Sequence, residues 1–142
     1  MNIAIVGATG NVGRKILEVL EKKELAIDNL YLLASSRSSG SKINFNGNEH
    51  EVIDLETFDF SKVKISFFAA GGKISENFAK IAAKNSLVID NSSFYRMDPD
   101  VPLIVPQVNS DHLNNIKKKY YCKSKLLNCS TCYSFKAVAR FV

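Results

Sequence analysis

The chain has 142 residues, 46% of them hydrophobic and 23% charged, enough for one domain with its own apolar core. No apolar run approaches the ~20 residues of a membrane span. Met1 leads straight into the strand-like Ile3-Ala4-Ile5-Val6 with no basic leader and cleavage site, so neither export nor a membrane partner is expected and the expected location is cytoplasmic. The formal charge of +5 is unevenly spread. Residues 1–116 hold 12 Lys and Arg against 14 Asp and Glu, whereas residues 117–142 hold 7 Lys and Arg and no acid. Cys122, Cys129 and Cys132 all lie in that second stretch. The expected organisation is therefore a domain over 1–116 and an aberrant basic tail over 117–142. A basic tail can mark contact with nucleic acid or a membrane surface, but no aromatic or groove-reading element accompanies this one, and no nucleic-acid partner is expected.

In chain order, Ile3–Val6 is a short β-branched run followed at once by glycines, which suits a buried parallel strand. From Gly13 to Lys23, the residues Ile16, Leu17 and Leu20, with Val12 and Val19 beside them, form an apolar face at helical spacing. Leu30–Ala34 reads as a second strand and Ser35–Ser41 as a Ser/Gly-rich loop. Asn46-Gly47 between Lys42–Phe45 and His50–Ile53 is a hairpin signal. Val63–Ala69 reads as a buried strand ending at Gly71-Gly72, and Ile74, Phe78, Ile81 and Ala82 as a helical face. Leu87–Ile89 is a further strand, Leu103–Val105 a short one between prolines, and Asp111–Lys119 a candidate helix. There is no internal repeat. This alternation predicts an α/β fold, a Rossmann-like doubly wound and mostly parallel sheet. Right-handed crossovers then bring Gly7–Gly13, Ser35–Gly40, Ala70–Lys73 and Asp90–Arg96 to one sheet edge, where such sheets bind ligands.

Gly7-Ala8-Thr9-Gly10-Asn11-Val12-Gly13 is a G-x-x-G-x-x-G variant of the dinucleotide fingerprint. Gly7 permits the tight turn, Gly10 the approach of a pyrophosphate, and Gly13 close helix–strand packing. The helix N-terminus offers unpaired N–H groups to phosphate. The bland alternative is a glycine-rich turn with no ligand. An NAD binder usually carries an acid at the end of the second strand for the ribose hydroxyl. Here that segment is Ala34-Ser35-Ser36-Arg37-Ser38, without one, and Arg37 with the serines suits a 2′-phosphate, so NADP is the expected cofactor.

The stretch Val88 to Asn109, with Asp90-Asn91-Ser92-Ser93, Arg96-Met97-Asp98-Pro99 and Val105-Pro106-Gln107-Val108-Asn109, closely resembles the bacterial aspartate-semialdehyde dehydrogenase family. Gly7–Gly13, Tyr31–Gly40 and Phe68-Ala69-Ala70-Gly71-Gly72 fit the same family in order and spacing, over about residues 1–116, with Gln107 standing where the family usually has Glu. The resemblance implies NADPH-dependent reductive dephosphorylation of aspartyl phosphate to aspartate semialdehyde through a cysteine acyl-thioester, in amino-acid biosynthesis. It implies that Thr9, Gly10, Asn11 and Val12 line the cofactor phosphates, that Arg37 and Ser38 take the 2′-phosphate, and that Ala70, Gly71 and Gly72 pass close to the cofactor. Asn91 and Arg96 would bind the substrate's phosphate or inorganic phosphate; the alternative for Arg96 is a surface arginine paired with Asp98 or Asp100. It also implies a C-terminal catalytic domain, bearing the acid/base histidine, a substrate arginine and much of a homo-oligomeric interface, that is missing here. The expected activity of this fragment alone is none, leaving a cofactor-binding remnant or an unstable pseudogene product as readings. N-acetyl-glutamyl-phosphate reductase, similar in fold and chemistry, is the runner-up.

From Lys117 onward the chain departs from the family. Lys117-Lys118-Lys119-Tyr120-Tyr121-Cys122-Lys123-Ser124-Lys125-Leu126-Leu127 is poor strand material where a strand, Asn-Pro and the nucleophile motif are expected. Back-translated with permitted codons and read one base later, Lys119 onward gives Asn-Ile-Ile-Ala-Asn-Pro-Asn-Cys-Ser-Thr-Val-Ala-Leu-Val-Ile-Ala-Leu-Lys-Pro-Leu-Gln-Asp, the expected continuation. A frameshift in the adenine run encoding Lys117-Lys118-Lys119 is therefore expected. In frame, Asn128-Cys129-Ser130-Thr131 matches the nucleophile motif nominally. Cys129 is a doubtful nucleophile, because no apolar helix follows whose N-terminus would lower the thiol pKa. Cys129 and Cys132 form a single C-x-x-C pair with no second pair, and His50 and His112 are isolated, so no metal site is expected.

Overall fold

The computed structural model describes residues 1–23, 25–105, 108–109 and 120–123. Its elements run β1 (Asn2–Val6), α1 (Asn11–Lys22), β2 (Asn29–Ala34), β3 (Lys42–Phe45), β4 (Asn48–Asp54), β5 (Ile65–Phe68), α2 (Gly72–Ala82), β6 (Leu87–Asp90), β7 (Leu103–Ile104) and β8 (Tyr120–Lys123). They form one sheet of order β3-β4-β2-β1-β5-β6-β8-β7, parallel throughout except for the β3–β4 hairpin at one edge. The doubly wound α/β expectation holds.

The strand sequences explain why both faces are covered. In β1, Ile3 and Ile5 join one core with Leu32, Phe67, Ile89 and the α1 residues Ile16, Leu17, Val19 and Leu20. Ala4 and Val6 join the other with Leu33, Phe68, Val88 and the α2 residues Ala79 and Ala82. Neighbouring residues of a strand point to opposite faces, so an uninterrupted apolar run fits only a sheet buried on both sides. Phe67 and Phe68 are both under 2% or at 2% exposed and face opposite ways; each large side chain so buried contributes roughly 1.5–3 kcal/mol.

The hairpin turns as its Asn-Gly pair demands, with φ of 50° at Asn46 and 77° at Gly47. The helices start earlier than their apolar periodicity indicates, because their first turns carry little apolar surface and lie along the sheet edge. One expectation is overturned. Tyr120–Lys123, read as poor strand material, forms β8, hydrogen-bonded in parallel to β6 and β7. Its place in the sheet, between two strands that offer their backbone groups, outweighs its propensity. The candidate helix Asp111–Lys119, Gln107 and His112 lie outside the described residues.

Chain order leaves β1 by way of β2 on one side and returns through β5 on the other. The crevice at the carboxyl ends of β1 and β5 is therefore the topological switch point, where doubly wound sheets bind ligands.

Candidate dinucleotide site

The glycine loop leaves β1 at that switch point. The Gly7 N–H donates to the Leu33 carbonyl at 2.8 Å, and the Ala8 N–H shares the same acceptor at 3.2 Å, which seats the turn on β2. Gly7 has φ of 86°, and a Cβ there would lie 2.9 Å from the Ala69 carbonyl carbon and the Ala70 nitrogen. The loops after β1 and β5 thus touch through a position that only glycine fits. Gly13 is tighter still, since a Cβ would sit 2.2 Å from the Gly7 carbonyl oxygen. Gly10 differs. A Cβ there meets only the Gly7 oxygen at 3.4 Å, so internal packing does not require glycine at this exposed position.

Gly10 is the N-cap of α1, and no side chain caps that end or places an acid in its first turn. The leading N–H groups and the positive end of the helix dipole face the crevice, a ready anion site. Asn11 and Val12 are exposed; Val12, read as flanking the apolar face, is 40% exposed. Thr9 is half-buried, and its carbonyl accepts from Arg14 Nε at 3.3 Å. Sequence reasoning missed Arg14, although a guanidinium one turn into the helix after such a loop was a usable signal. Ala70 and Gly71 are exposed and Gly72 half-buried on the facing loop, where Gly71 caps α2, again with no side-chain cap. A pyrophosphate fits this cradle of small residues and open backbone donors.

Arg37 sits in a 3-10 turn, Ser36–Ser38, directly after β2. It is exposed, and among the described residues no ion pair engages it. Ser38 anchors the turn: its N–H donates to the Ser35 carbonyl at 2.9 Å and its carbonyl accepts from Ser41 Oγ at 2.7 Å. The Gly40 N–H ties the far end to the Val52 carbonyl at 2.8 Å. An acid does stand one strand away, since Asp54 of β4 pairs with Ala34. That carboxylate is occupied locally, Oδ1 accepting from the Glu56 N–H at 3.1 Å.

The loop after β6 is built on Asp90, fully buried at the strand's end. Its Oδ1 accepts from Ser75 Oγ at 3.0 Å and from the Ser92 N–H at 2.7 Å, and its Oδ2 from Ser92 Oγ at 2.9 Å. The Asn91 N–H donates to the Phe68 carbonyl at 2.9 Å, holding half-buried Asn91 beside the end of β5. Arg96 Nη2 donates to the Ser92 carbonyl at 3.3 Å, while its Nε is buried without a hydrogen-bond partner. The surface-pair alternative for Arg96 is not what the fold adopts, for among the described residues it makes no ion pair with Asp98 or Asp100. Tyr95, 4% exposed, packs against α2, its hydroxyl donating to the Glu76 carbonyl at 3.2 Å and Lys80 Nζ lying 5.2 Å from its ring centre. Burial, then the nearby Glu76, Asp98 and Asp90 carboxylates, push its phenol above the usual value.

An open depression of about 490 Å³ lies beside Tyr95, lined by Glu76, Lys80, Phe94, Met97 and Asp98, and includes none of the glycine-loop residues. The switch-point crevice instead holds the backbone donors of α1 and the positive-φ glycines Gly7 and Gly71. Cys129 and Cys132 lie outside the described residues. No helix among the described residues is long and apolar enough to cross a membrane.

Residues 2–116 match the family model "Semialdehyde dehydrogenase, NAD binding domain". An aspartate-semialdehyde dehydrogenase from Shewanella violacea is 43% identical over 131 residues, 92% of this chain and 38% of that protein. The crystal structure of aspartate semialdehyde dehydrogenase II from Vibrio cholerae, complexed with ASA, superposes with a TM-score of 0.83 at 45% identity, covering 87% of this chain and 41% of that one. A Candida albicans aspartate semialdehyde dehydrogenase solved with NADP gives a TM-score of 0.71 at 26% identity, over 85% of this chain and 41% of that one. The chain thus spans about two fifths of the length of these proteins, all from its dinucleotide-binding part, and the N-acetyl-glutamyl-phosphate reductase alternative is not favoured. With the fingerprint loop, the switch-point crevice and these likenesses in agreement, the chain belongs to the semialdehyde dehydrogenase family, as its NAD-binding domain.

Proposed function

We propose that this chain binds NADP(H) at the β1/β5 switch point as the cofactor-binding part of an aspartate-semialdehyde dehydrogenase. The observation that carries the reading is Gly10, a glycine the fold itself does not need, placed at an α1 N-terminus with no side-chain cap. Thr9, Gly10, Asn11 and Val12 hold the pyrophosphate, and Ala70, Gly71 and Gly72 border the nicotinamide half. Arg37 and Ser38 take the 2′-phosphate, supported by the exposed guanidinium, the missing acid at the end of β2 and the local engagement of Asp54. Bound there, the cofactor supplies hydride. Asn91 and Arg96 hold a phosphate at the same sheet edge, the one belonging to aspartyl phosphate in the reductive dephosphorylation of the whole enzyme. This chain by itself binds the dinucleotide and does not turn over.

Calorimetric titration of the purified chain with NADPH and NADH tests the reading. Saturable binding, tighter for NADPH, is expected. No binding to a chain that melts cooperatively would refute the site, and equal affinity for the two cofactors would refute the NADP assignment.

A further inference from the structure

We infer that the sequence this fold is built to carry beyond Lys119 is encoded one base out of step with the chain, the displacement lying in the codons of Lys117-Lys118-Lys119. The structural ground is β8. It lies inside the sheet, parallel to β6 on one side and to β7 on the other. Interior parallel strands read as near-continuous β-branched and apolar runs, as Ile3-Ala4-Ile5-Val6 does here. Tyr120-Tyr121-Cys122-Lys123 departs from that pattern, ending on a lysine opposite Ile104. Read one base later, codons permitted for the same residues encode Ile-Ile-Ala across Tyr120 to Cys122, the strand composition the position asks for. Asn-Pro follows where β8 ends, and proline cannot donate to a ladder, so the shifted reading also supplies the stop.

A second, independent ground is charge. Residues 117–142 hold 7 Lys and Arg and no acid. The shifted peptide carries one Lys and one Asp, continuing the balanced composition of residues 1–116. After Asn-Cys-Ser-Thr it continues as Val-Ala-Leu-Val-Ile-Ala-Leu, an apolar segment of the kind that packs on a sheet. A single displacement within the Lys117-Lys118-Lys119 codons, which permit an unbroken adenine run of the kind where polymerases and ribosomes slip, accounts for both observations.

The inference fixes bases that the protein sequence leaves free. The shifted reading requires TCC at Ser124, TTG or CTG at Leu126 and CTC at Leu127, whereas each amino acid is compatible with several other codons. Sequencing the gene through this stretch is the test, and it is indifferent to whether the chain binds NADP(H). Those codons are expected; any other third base at Ser124, Leu126 or Leu127 would overturn the inference. Deleting one adenine from the run and expressing the gene gives the second readout. The expected product is a chain longer than 142 residues, containing the shifted peptide by mass spectrometry and melting at a higher temperature than the original. An early stop in the shifted frame would overturn it as well.

Discussion

Asp90 and Ser92 are locked together twice, the serine amide and hydroxyl each donating to a different carboxylate oxygen, at 2.7 and 2.9 Å. Because the Ser92 carbonyl in turn accepts from Arg96, this buried pair sets the path of the loop that carries the proposed phosphate ligand. Replacing Asp90 by Asn turns one acceptor into a donor facing the Ser92 hydroxyl or amide. A misfit of this kind at a buried site costs about 1–3 kcal/mol. Asp90→Asn is expected to lower the denaturant midpoint accordingly, and Ser75→Ala to cost less, about 1 kcal/mol, since it removes a single bond to the carboxylate. An Asp90→Asn chain as stable as the original would show that the network contributes nothing.

The two glycines of the α1 turn separate fold from function. A Cβ at Gly13 would stand 2.2 Å from the Gly7 carbonyl oxygen, a clash with backbone that no side-chain rotation relieves. Gly13→Ala is expected to destabilise the domain by about 3 kcal/mol or more, the upper end of overpacking costs. Gly10→Ala meets nothing closer than 3.4 Å and has φ of −78°, which alanine adopts, so its expected stability cost is under about 1 kcal/mol. Its methyl instead occupies the proposed phosphate approach, and a fall in NADP(H) affinity of about tenfold or more is expected by calorimetry. Unchanged affinity in a folded Gly10→Ala chain would remove the main support for the site.

Much of this was legible in the sequence because it depends on local spacing. Ile3–Val6, the Ile16/Leu17/Leu20 face and Asn46-Gly47 each specify an element through residues close in the chain, and the glycine roles follow from their offsets. The Asp90 network was not legible, since Ser75 and Asp90 sit on different elements and only the α2–β6 packing brings them together. Val12 reads as flanking the apolar face of α1 but lies in the first helical turn, where it is exposed. β8 was missed because strand formation there is set by the open backbone groups of β6 and β7, not by Tyr120-Tyr121-Cys122-Lys123.

Arg37 is the residue proposed to discriminate between the two nicotinamide cofactors. It is exposed and held on a short turn tied to β4, so removing its side chain has little to disturb in the fold. A charge-assisted contact to a phosphate is worth about 1.5–3 kcal/mol. Arg37→Ala is therefore expected to weaken NADPH binding by roughly 10–100-fold while leaving NADH binding and the melting temperature unchanged. Raising the salt concentration should weaken NADPH binding to the original chain more than to Arg37→Ala, because the lost contact is the ionic one. Equal weakening of both cofactors would place Arg37 elsewhere than at the 2′-phosphate.

Tyr95 couples the stability of the domain to alkaline pH in a predictable direction. Burial first, then the Glu76, Asp98 and Asp90 carboxylates, hold the phenol protonated above its ordinary range near pH 10. The folded state thus keeps a proton that the unfolded chain releases earlier. The sign follows: the contribution is complete below the unfolded value and is lost as pH rises through the raised folded one. Tyr95→Phe keeps the ring packed on α2 but removes both the ionisation and the bond to the Glu76 carbonyl, which is worth about 1 kcal/mol near neutrality. The original chain should therefore lead at neutral pH, and the gap should narrow or reverse on the alkaline side of pH ~10. Denaturant midpoints of the two chains across that range measure it. Parallel curves would mean that Tyr95 ionises as readily in the fold as in the unfolded chain.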